Sequence, residues 1–368
     1  MYYEKLEDHF RRLNHLQQVS AIICWDEAVI MPQAAGPSRA DAIATLQEMI
    51  HRMKNEPALQ DWLQEARHEA DQDQLDAWQK ANLREMGRVH RRASCLTGDL
   101  VQAMSRAQFR CEQAWRTLRY NNDWSSLEPL LKRVVQLKRE MAARLAEALG
   151  SCPYDALMDG YEPGAKSHTV DLLFRDIRSF LPDFTEQVLY RQGRQRVVVP
   201  EGPFAIENQR QLAQRLMRIV GFDEKGGRLD VSHHPFCGGV PTDVRITTRY
   251  DEADFRKALM AALHETGHAK YEQGLPAAWL EQPVGRSRSM GIHESQSLLQ
   301  EMQVSRSREF WKFAAPIVRQ ELADRAGAQP EAFETENLYR LYNRVERGLI
   351  RVDAPKVTYP GHIVLRYD

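Results

Sequence analysis

Two histidines four residues apart, with a glutamate directly after the first, stand at His264-Glu265-Thr266-Gly267-His268. On a helix, positions i and i+4 lie one above the other on the same face. Both imidazoles can then meet one Zn²⁺ at roughly 2.0–2.1 Å while Glu265 reaches a water on that ion. The spacing is the signature of metal-assisted hydrolysis. A helix whose histidines only form hydrogen bonds produces the same five letters, so the surroundings and a third ligand carry the decision.

The surroundings read as helix. Tyr250 to Leu263 runs straight into the motif, with Asp251 as the N-cap, acidic residues in the first turn and good helix formers behind them. Phe255, Leu259, Ala262 and Leu263 supply an apolar stripe, and Gly274 followed by Pro276 predicts the end. For a third ligand, the extension with a nearby further histidine is absent, since Ala269-Lys270-Tyr271-Glu272 follows, which excludes a metzincin. Glu272 is too near on the same helix to converge, and Glu281 lies in a Pro-rich connector. Glu294 opens a new helical stretch, Glu294 to Met302, that can return antiparallel and deliver a carboxylate. Glu294 is therefore the expected ligand. His293 is the competitor, pointing about 100° away on that helix.

Taken together with Ile292-His293-Glu294-Ser295-Gln296-Ser297, the HExxH segment resembles the carboxypeptidase Taq family of metallocarboxypeptidases. Trp25-Asp26 with Met31-Pro32, His234-Pro235-Phe236, Asp243-Val244-Arg245-Ile246-Thr247 and Tyr271-Glu272-Gln273-Gly274-Leu275-Pro276 resemble further family segments, in the right order. The resemblance implies a mainly α, helical gluzincin-type metallopeptidase with a deep groove and a small β-sheet beside the metal helix. It also implies removal of C-terminal residues from peptides, usually by a homodimer. Two departures stand out. Ile350-Arg351-Val352-Asp353-Ala354-Pro355 resembles the IRxxAD motif with proline in place of the final acid. The family also continues into a helical portion with a QDxHW-type motif, so the catalytic region is read as truncated at Asp368.

Composition narrows the class. With 368 residues, 43% hydrophobic and 27% charged, the chain is an ordinary globular protein of one to three domains. A net charge of −1 and no long basic run give no electrostatic footprint for nucleic acid. Cys24, Cys95, Cys111, Cys152 and Cys237 are odd in number and form no CxxC, against a disulfide framework or thiolate zinc site. The N-terminus is charged rather than basic-then-apolar, and no stretch approaches the ~18 apolar residues of a membrane span. These features predict a cytoplasmic protein with no membrane partner.

The elements that must position the site divide at about residue 150. Residues 1–150 read as a helical scaffold, with stripes at Leu13, Leu16, Val19, Ile22, Ile23 and at Leu127, Leu130, Leu131, Val134, Leu137. Trp25-Asp26 fits a structural corner, the indole packed and the carboxylate capping the chain. Gly and Pro between residues 150 and 164 mark the boundary, helices resume near Thr169, and residues 151–368 form the catalytic region. Arg196-Val197-Val198-Val199-Pro200 and Asp243 to Arg249 read as strands of a small sheet. In the second, Asp243, Arg245, Thr247 and Arg249 share a face. Its periodicity fits a solvated face and an active-site wall equally, and the family resemblance favours the wall, where Asp243 would fix the tautomer of a ligand imidazole.

His264, His268 and Glu294 as ligands leave a fourth position open, the catalytic arrangement. Zn²⁺, with Co²⁺ as the alternative, would activate water, and Glu265 would act as general base. An exopeptidase must also hold a free C-terminal carboxylate, for which a guanidinium is suited; Arg351 and Arg245 are the candidates. His234 fits a donor to substrate and a packed loop residue equally well. Peptides with a free C-terminus are the expected substrates. A helical zinc endopeptidase or oligopeptidase, and a remnant that binds metal and peptide without turnover, share these residues.

Overall fold

The computed structural model describes residues 1–323, 329–348 and 357–367. They are mainly helical with a small β-sheet, as the family resemblance implies, and the sheet has three strands. The chain divides into two compact units.

The first unit comprises Met1–Ala165 with Gly238–Pro241 and Gly274–Met290. Its helices are α1 (Tyr2–Val29), α2 (Gly36–Lys54), α3 (Ala58–Asp71), α4 (Ala77–Ser94), α5 (Gly98–Tyr120), α6 (Trp124–Leu149) and the short α7 (Pro153–Met158). Capping fixes several starts. Asp76 accepts from the Gln79 N–H while the Gln79 side chain reaches back to the Asp76 N–H, a reciprocal capping box for α4. Gly150, at φ +60°, ends α6 in the left-handed conformation that glycine adopts without a Cβ clash. Tyr3, Leu6, Phe10 and Leu13 of α1 pack with Leu59, Leu63, Leu83 and Met86 as one core. The Trp25 indole is buried as expected, but the Asp26 carboxylate pairs with Arg39; it is the Asp26 carbonyl that closes the corner, accepting from Ile30 and Met31 N–H.

The second unit comprises Lys166–Cys237, Thr242–Gln273 and Gly291–Asp368. It holds α8 (Ser167–Gln192), α9 (Ile206–Ile219), β1 (Gly227–Val231), β3 (Asp243–Thr248), α10 (Phe255–Gln273), α11 (Met290–Leu298), α12 (Arg308–Val318), α13 (Thr335–Tyr342) and α14 (Tyr359–Tyr367). With β2 (Cys237–Val240), the strand order is β1-β3-β2. β1 and β3 run parallel, from Gly227 opposite Val244 to Val231 opposite Thr248.

Helix α10 is buried on two sides. Phe255, Leu259 and Leu263 join Phe204, Leu216, Trp311, Val318 and Phe333 in the main core, where the Phe255 and Phe333 rings stack at 6.1 Å. Ala262 and Ala269 instead face Val244 and Ile246 of β3 and Met217 of α9. Each fully buried large apolar side chain of this kind contributes roughly 1.5–3 kcal/mol, so the orientation of α10 about its axis is strongly determined. Thr248 adds a tie, its hydroxyl donating to the Ala258 carbonyl at 3.0 Å.

Local differences from the sequence expectation have physical reasons. Asp251 does not cap α10; its carboxylate closes a turn at the Ala253 N–H, and Asp254 takes the start by accepting from Arg256 N–H. Residues 196–200 are not a strand: the Asn337 side chain satisfies both the N–H and the C=O of Val198 and replaces a ladder partner. The strand Gly227–Val231, too short and polar to stand out, pairs with β3 instead.

Candidate metal centre

Both motif histidines lie well inside α10, on the flank that the two apolar faces leave uncovered. Helix α11 returns past them and passes into a π-helical stretch, Leu299–Val304, a widened turn of the type found often at functional sites. Glu294 from α11 places Oε2 at 3.3 Å from His268 Nε2 and 3.8 Å from His264 Nε2. The ligand atoms of the three residues lie within 4.8 Å of one another. Tetrahedral ligands about 2.0–2.1 Å from an ion stand about 3.4 Å apart, so the cluster is of the size that a single ion requires. Its chemistry fits as well: among the described residues, Glu265, Glu272, Glu294 and Glu301 gather around three imidazoles and the guanidinium of Arg306, a donor set rich in carboxylate and imidazole.

Each candidate ligand is oriented by a further bond. His264 Nδ1 lies 3.0 Å from Glu301 Oε2, and the other Glu301 oxygen accepts from Arg306 at 2.7 Å. Arg306 in turn donates to the Tyr342 carbonyl, and Asn343 donates to the Arg306 carbonyl. His268 Nδ1 meets His293 Nδ1 at 2.7 Å. Glu294 Oε1 accepts from the Tyr359 hydroxyl at 2.8 Å, and Ser297 bonds Oε2 at 3.2 Å. Tyr359 opens α14, whose far end is anchored where the Tyr367 hydroxyl donates to Asp171 of α8 at 2.8 Å.

The electrostatics follow from these contacts. Burial works to raise Glu294, but the bond to His268, the charge of His264 and the Tyr359 hydroxyl outweigh it and hold the carboxyl down at about 2. Burial likewise opposes ionisation of Glu301, and the bonds to His264 and Arg306 overcome it and lower its pKa. His264 is raised, against its own burial, by Glu301, Glu265 and Glu294, whereas burial and two neighbouring histidines lower His268. Glu265 differs from the other carboxylates. It is buried, and burial, with Glu294 and Glu301 nearby, pushes it up to about 7 despite His264. The partly buried Cys237 thiol is driven up by burial and then by the charges of Glu265 and Glu272, which keeps it protonated.

The structure therefore brings Glu265, His264, His268 and Glu294 together. Asp243 stands apart from the imidazoles' bonds: its carboxylate holds Arg245 at 2.7 Å, and the partners on the ligand histidines are Glu301 and His293 instead. Arg245 is thereby engaged by its own strand, and Thr247 is fully buried on Ser232 and Phe236 rather than on a solvated wall. His234 is exposed, its carbonyl accepting from Ser232. Arg351 and Pro355 lie outside the described residues. Glu301 and Tyr359 were not anticipated. Glu301 had a readable signal, standing seven residues after Glu294 and hence two turns along one helical face; Tyr359 had none.

A helical scaffold presenting two imidazoles, a carboxylate and a buried neighbouring glutamate defines a metallopeptidase, and comparison with known proteins specifies which kind. Residues 5–368 match the family described as Carboxypeptidase Taq (M32) metallopeptidase, and the chain belongs to it. It is 35% identical to Thermostable carboxypeptidase 1 of Thermus thermophilus, over 100% of this chain and 72% of that protein. Among solved structures it is similar to Trypanosoma cruzi metallocarboxypeptidase 1, with a TM-score of 0.90 and 39% identity over 100% of this chain and 72% of that one. The M32 carboxypeptidase from Deinococcus radiodurans R1 gives a TM-score of 0.87 at 31% identity, over 99% and 72% of the two chains.

Proposed function

We propose that this metallocarboxypeptidase depends on zinc, with cobalt as a competent substitute, and that Glu265 is its general base. The observation that carries the reading is Glu265, a buried carboxylate that follows His264 on α10 and feels the charges of His264 and Glu294, two of the three convergent ligands. When bound, the ion supplies Lewis acidity at the scissile carbonyl and at the attacking water. Glu265 takes the proton of that water as it adds to the carbonyl carbon and passes it to the departing amine. A carboxyl lifted to about 7 is suited to both halves of that transfer. His264, His268 and Glu294 would hold the ion, while Glu301 and Tyr359 keep two of them in place. For the C-terminal carboxylate of the substrate the proposal relies on Arg351, because Arg245 is held in a two-point pair by Asp243. His234 is retained as a donor toward substrate, and a homodimer as the working assembly. No helix among the described residues is long and apolar enough to cross a membrane.

The test is release of free amino acid from an N-blocked dipeptide and from its C-terminally amidated twin, after zinc or cobalt loading, with Glu265→Gln alongside. Release from the free acid alone, lost in the variant, is the expected result. Equal release from the amide would make the chain an endopeptidase, and full activity of Glu265→Gln would remove Glu265 from the mechanism.

A further inference from the structure

His293 precedes Glu294 on α11, and both of its ring nitrogens are engaged. Nδ1 lies 2.7 Å from Nδ1 of His268, and Nε2 lies 2.8 Å from Oε1 of Glu272. The two imidazoles are 4.6 Å apart between centroids and tilted by 33°, and the Tyr271 ring stands edge-on to His293 at 5.3 Å. The His293 side chain is 14% exposed and that of Glu272 is 21% exposed, so water competes weakly for these bonds. Glu272 itself sits on α10, one helical turn beyond His268, and His293 enters from α11 to bond both.

Proton counting decides the direction of the chain. A carboxylate only accepts, so His293 Nε2 carries the hydrogen that goes to Glu272. In the neutral ring Nδ1 is then a lone pair, which must receive the N–H of His268 Nδ1. In the neutral ring His268 thus keeps its Nε2 lone pair for an ion beside Glu294 Oε2, 3.3 Å away; in the protonated ring the same nitrogen carries an N–H and donates to Glu294. The same engagement prevents His293 from serving as a metal ligand, since neither nitrogen is free to turn toward the cluster.

We propose that Glu272 and His293 form a positioning relay that sets the tautomer and ring orientation of His268 for metal binding. The two ligand imidazoles are thus held by different devices: His264 by a carboxylate directly, backed by Arg306, and His268 by a carboxylate acting through a second imidazole. Bonds of this second rank fix ligand geometry and typically govern affinity by roughly 10- to 100-fold. The proposal rests on the metal site described above.

Zinc affinity of the full chain, measured by competition with a chromophoric chelator, tests it together with the visible spectrum of the cobalt form. His293→Leu removes both bonds and is expected to weaken zinc by roughly 10- to 100-fold and to change the cobalt bands. His293→Asn returns an oxygen near the Nδ1 position and is expected to recover most of the affinity, a rescue that mere filling of space does not predict. Wild-type chain that binds no equivalent of zinc would overturn the metal site itself. Tight wild-type binding with unchanged affinity and spectrum in His293→Leu would overturn the relay alone. Should His293→Leu fail to fold, Glu272→Leu carries the test: a severalfold loss supports the relay, and no loss overturns it.

Discussion

Gly267 and Ser297 bring two helix backbones into direct contact. A Cβ placed on Gly267 would lie 2.6 Å from Ser297 Cα and 2.5 Å from the Gln296 carbonyl oxygen, distances that real Cβ atoms do not reach. The glycine stands between His264 and His268, so the point of closest approach lies within the motif itself. The absence of a side chain there lets α11 lie close enough for Glu294 to meet both imidazoles. Gly267→Ala should therefore push α11 away, lowering stability by roughly 1–3 kcal/mol through overpacking and weakening metal binding as well. Thermal unfolding and a zinc titration of the variant check this; unchanged values in both would show that the helices separate without cost.

Glu301 ties the metal helix to Arg306 and, through the Tyr342 carbonyl, to the end of α13. Glu301→Ala leaves His264 Nδ1 without its acceptor and leaves Arg306 without its carboxylate. Zinc affinity should fall by roughly 10- to 100-fold. Glu301→Gln keeps one acceptor oxygen and should lose less. Equal affinities for wild type and Glu301→Ala, read by chelator competition, would remove Glu301 from the orientation of His264.

What the sequence revealed and what it hid follow from the range of each interaction. His264 and His268 are set by one helical turn, and Glu294 by a single helical return, so residue type and spacing suffice to select them. Their supporting bonds depend on which side chains meet across elements, which periodicity does not encode. Asp243 had the right type for a histidine partner, but Arg245, two residues away on the same strand face, takes both its oxygens. The role of Gly267 was silent for a similar reason: a glycine within a helix reads as a small cost to helix propensity until its neighbour is known. The Val-rich run at residues 196–200 has strand propensity, yet Asn337 supplies its hydrogen bonds, showing tertiary context overriding local preference.

Lys54 closes α2 in a largely buried position, where burial and the Arg286 guanidinium lower its pKa to about 8. The unfolded chain holds that proton up to its ordinary 10.5, so between pH 8 and 10.5 it binds more protons than the folded chain. Stability should therefore be penalised below pH 8 and should climb as pH rises through that window. Lys54→Met is expected to be more stable than wild type at pH 7, with the advantage shrinking toward pH 10. Urea unfolding across pH 7–10 measures the difference, and a constant difference would show that Lys54 does not titrate in this way.

Glu294 produces the opposite dependence in the metal-free chain. Its folded pKa of about 2 lies below the ordinary 4.5, so the unfolded state binds more protons between those values and stability falls as pH drops. The contribution is complete above pH 4.5 and is lost on approach to pH 2. Glu294→Gln cannot take up that proton, so the slope of unfolding free energy against pH in this window should be smaller by up to one proton than in the wild type. Its metal affinity should also fall sharply, because an amide replaces the one anionic ligand of the cluster. Acid titrations of both metal-free proteins, followed by circular dichroism, test the first expectation. If the two proteins lose structure along the same curve, the bonds from His268 and Tyr359 do not hold Glu294 ionised, and the carboxylate is less firmly placed than its 2.8 Å contact with Tyr359 implies.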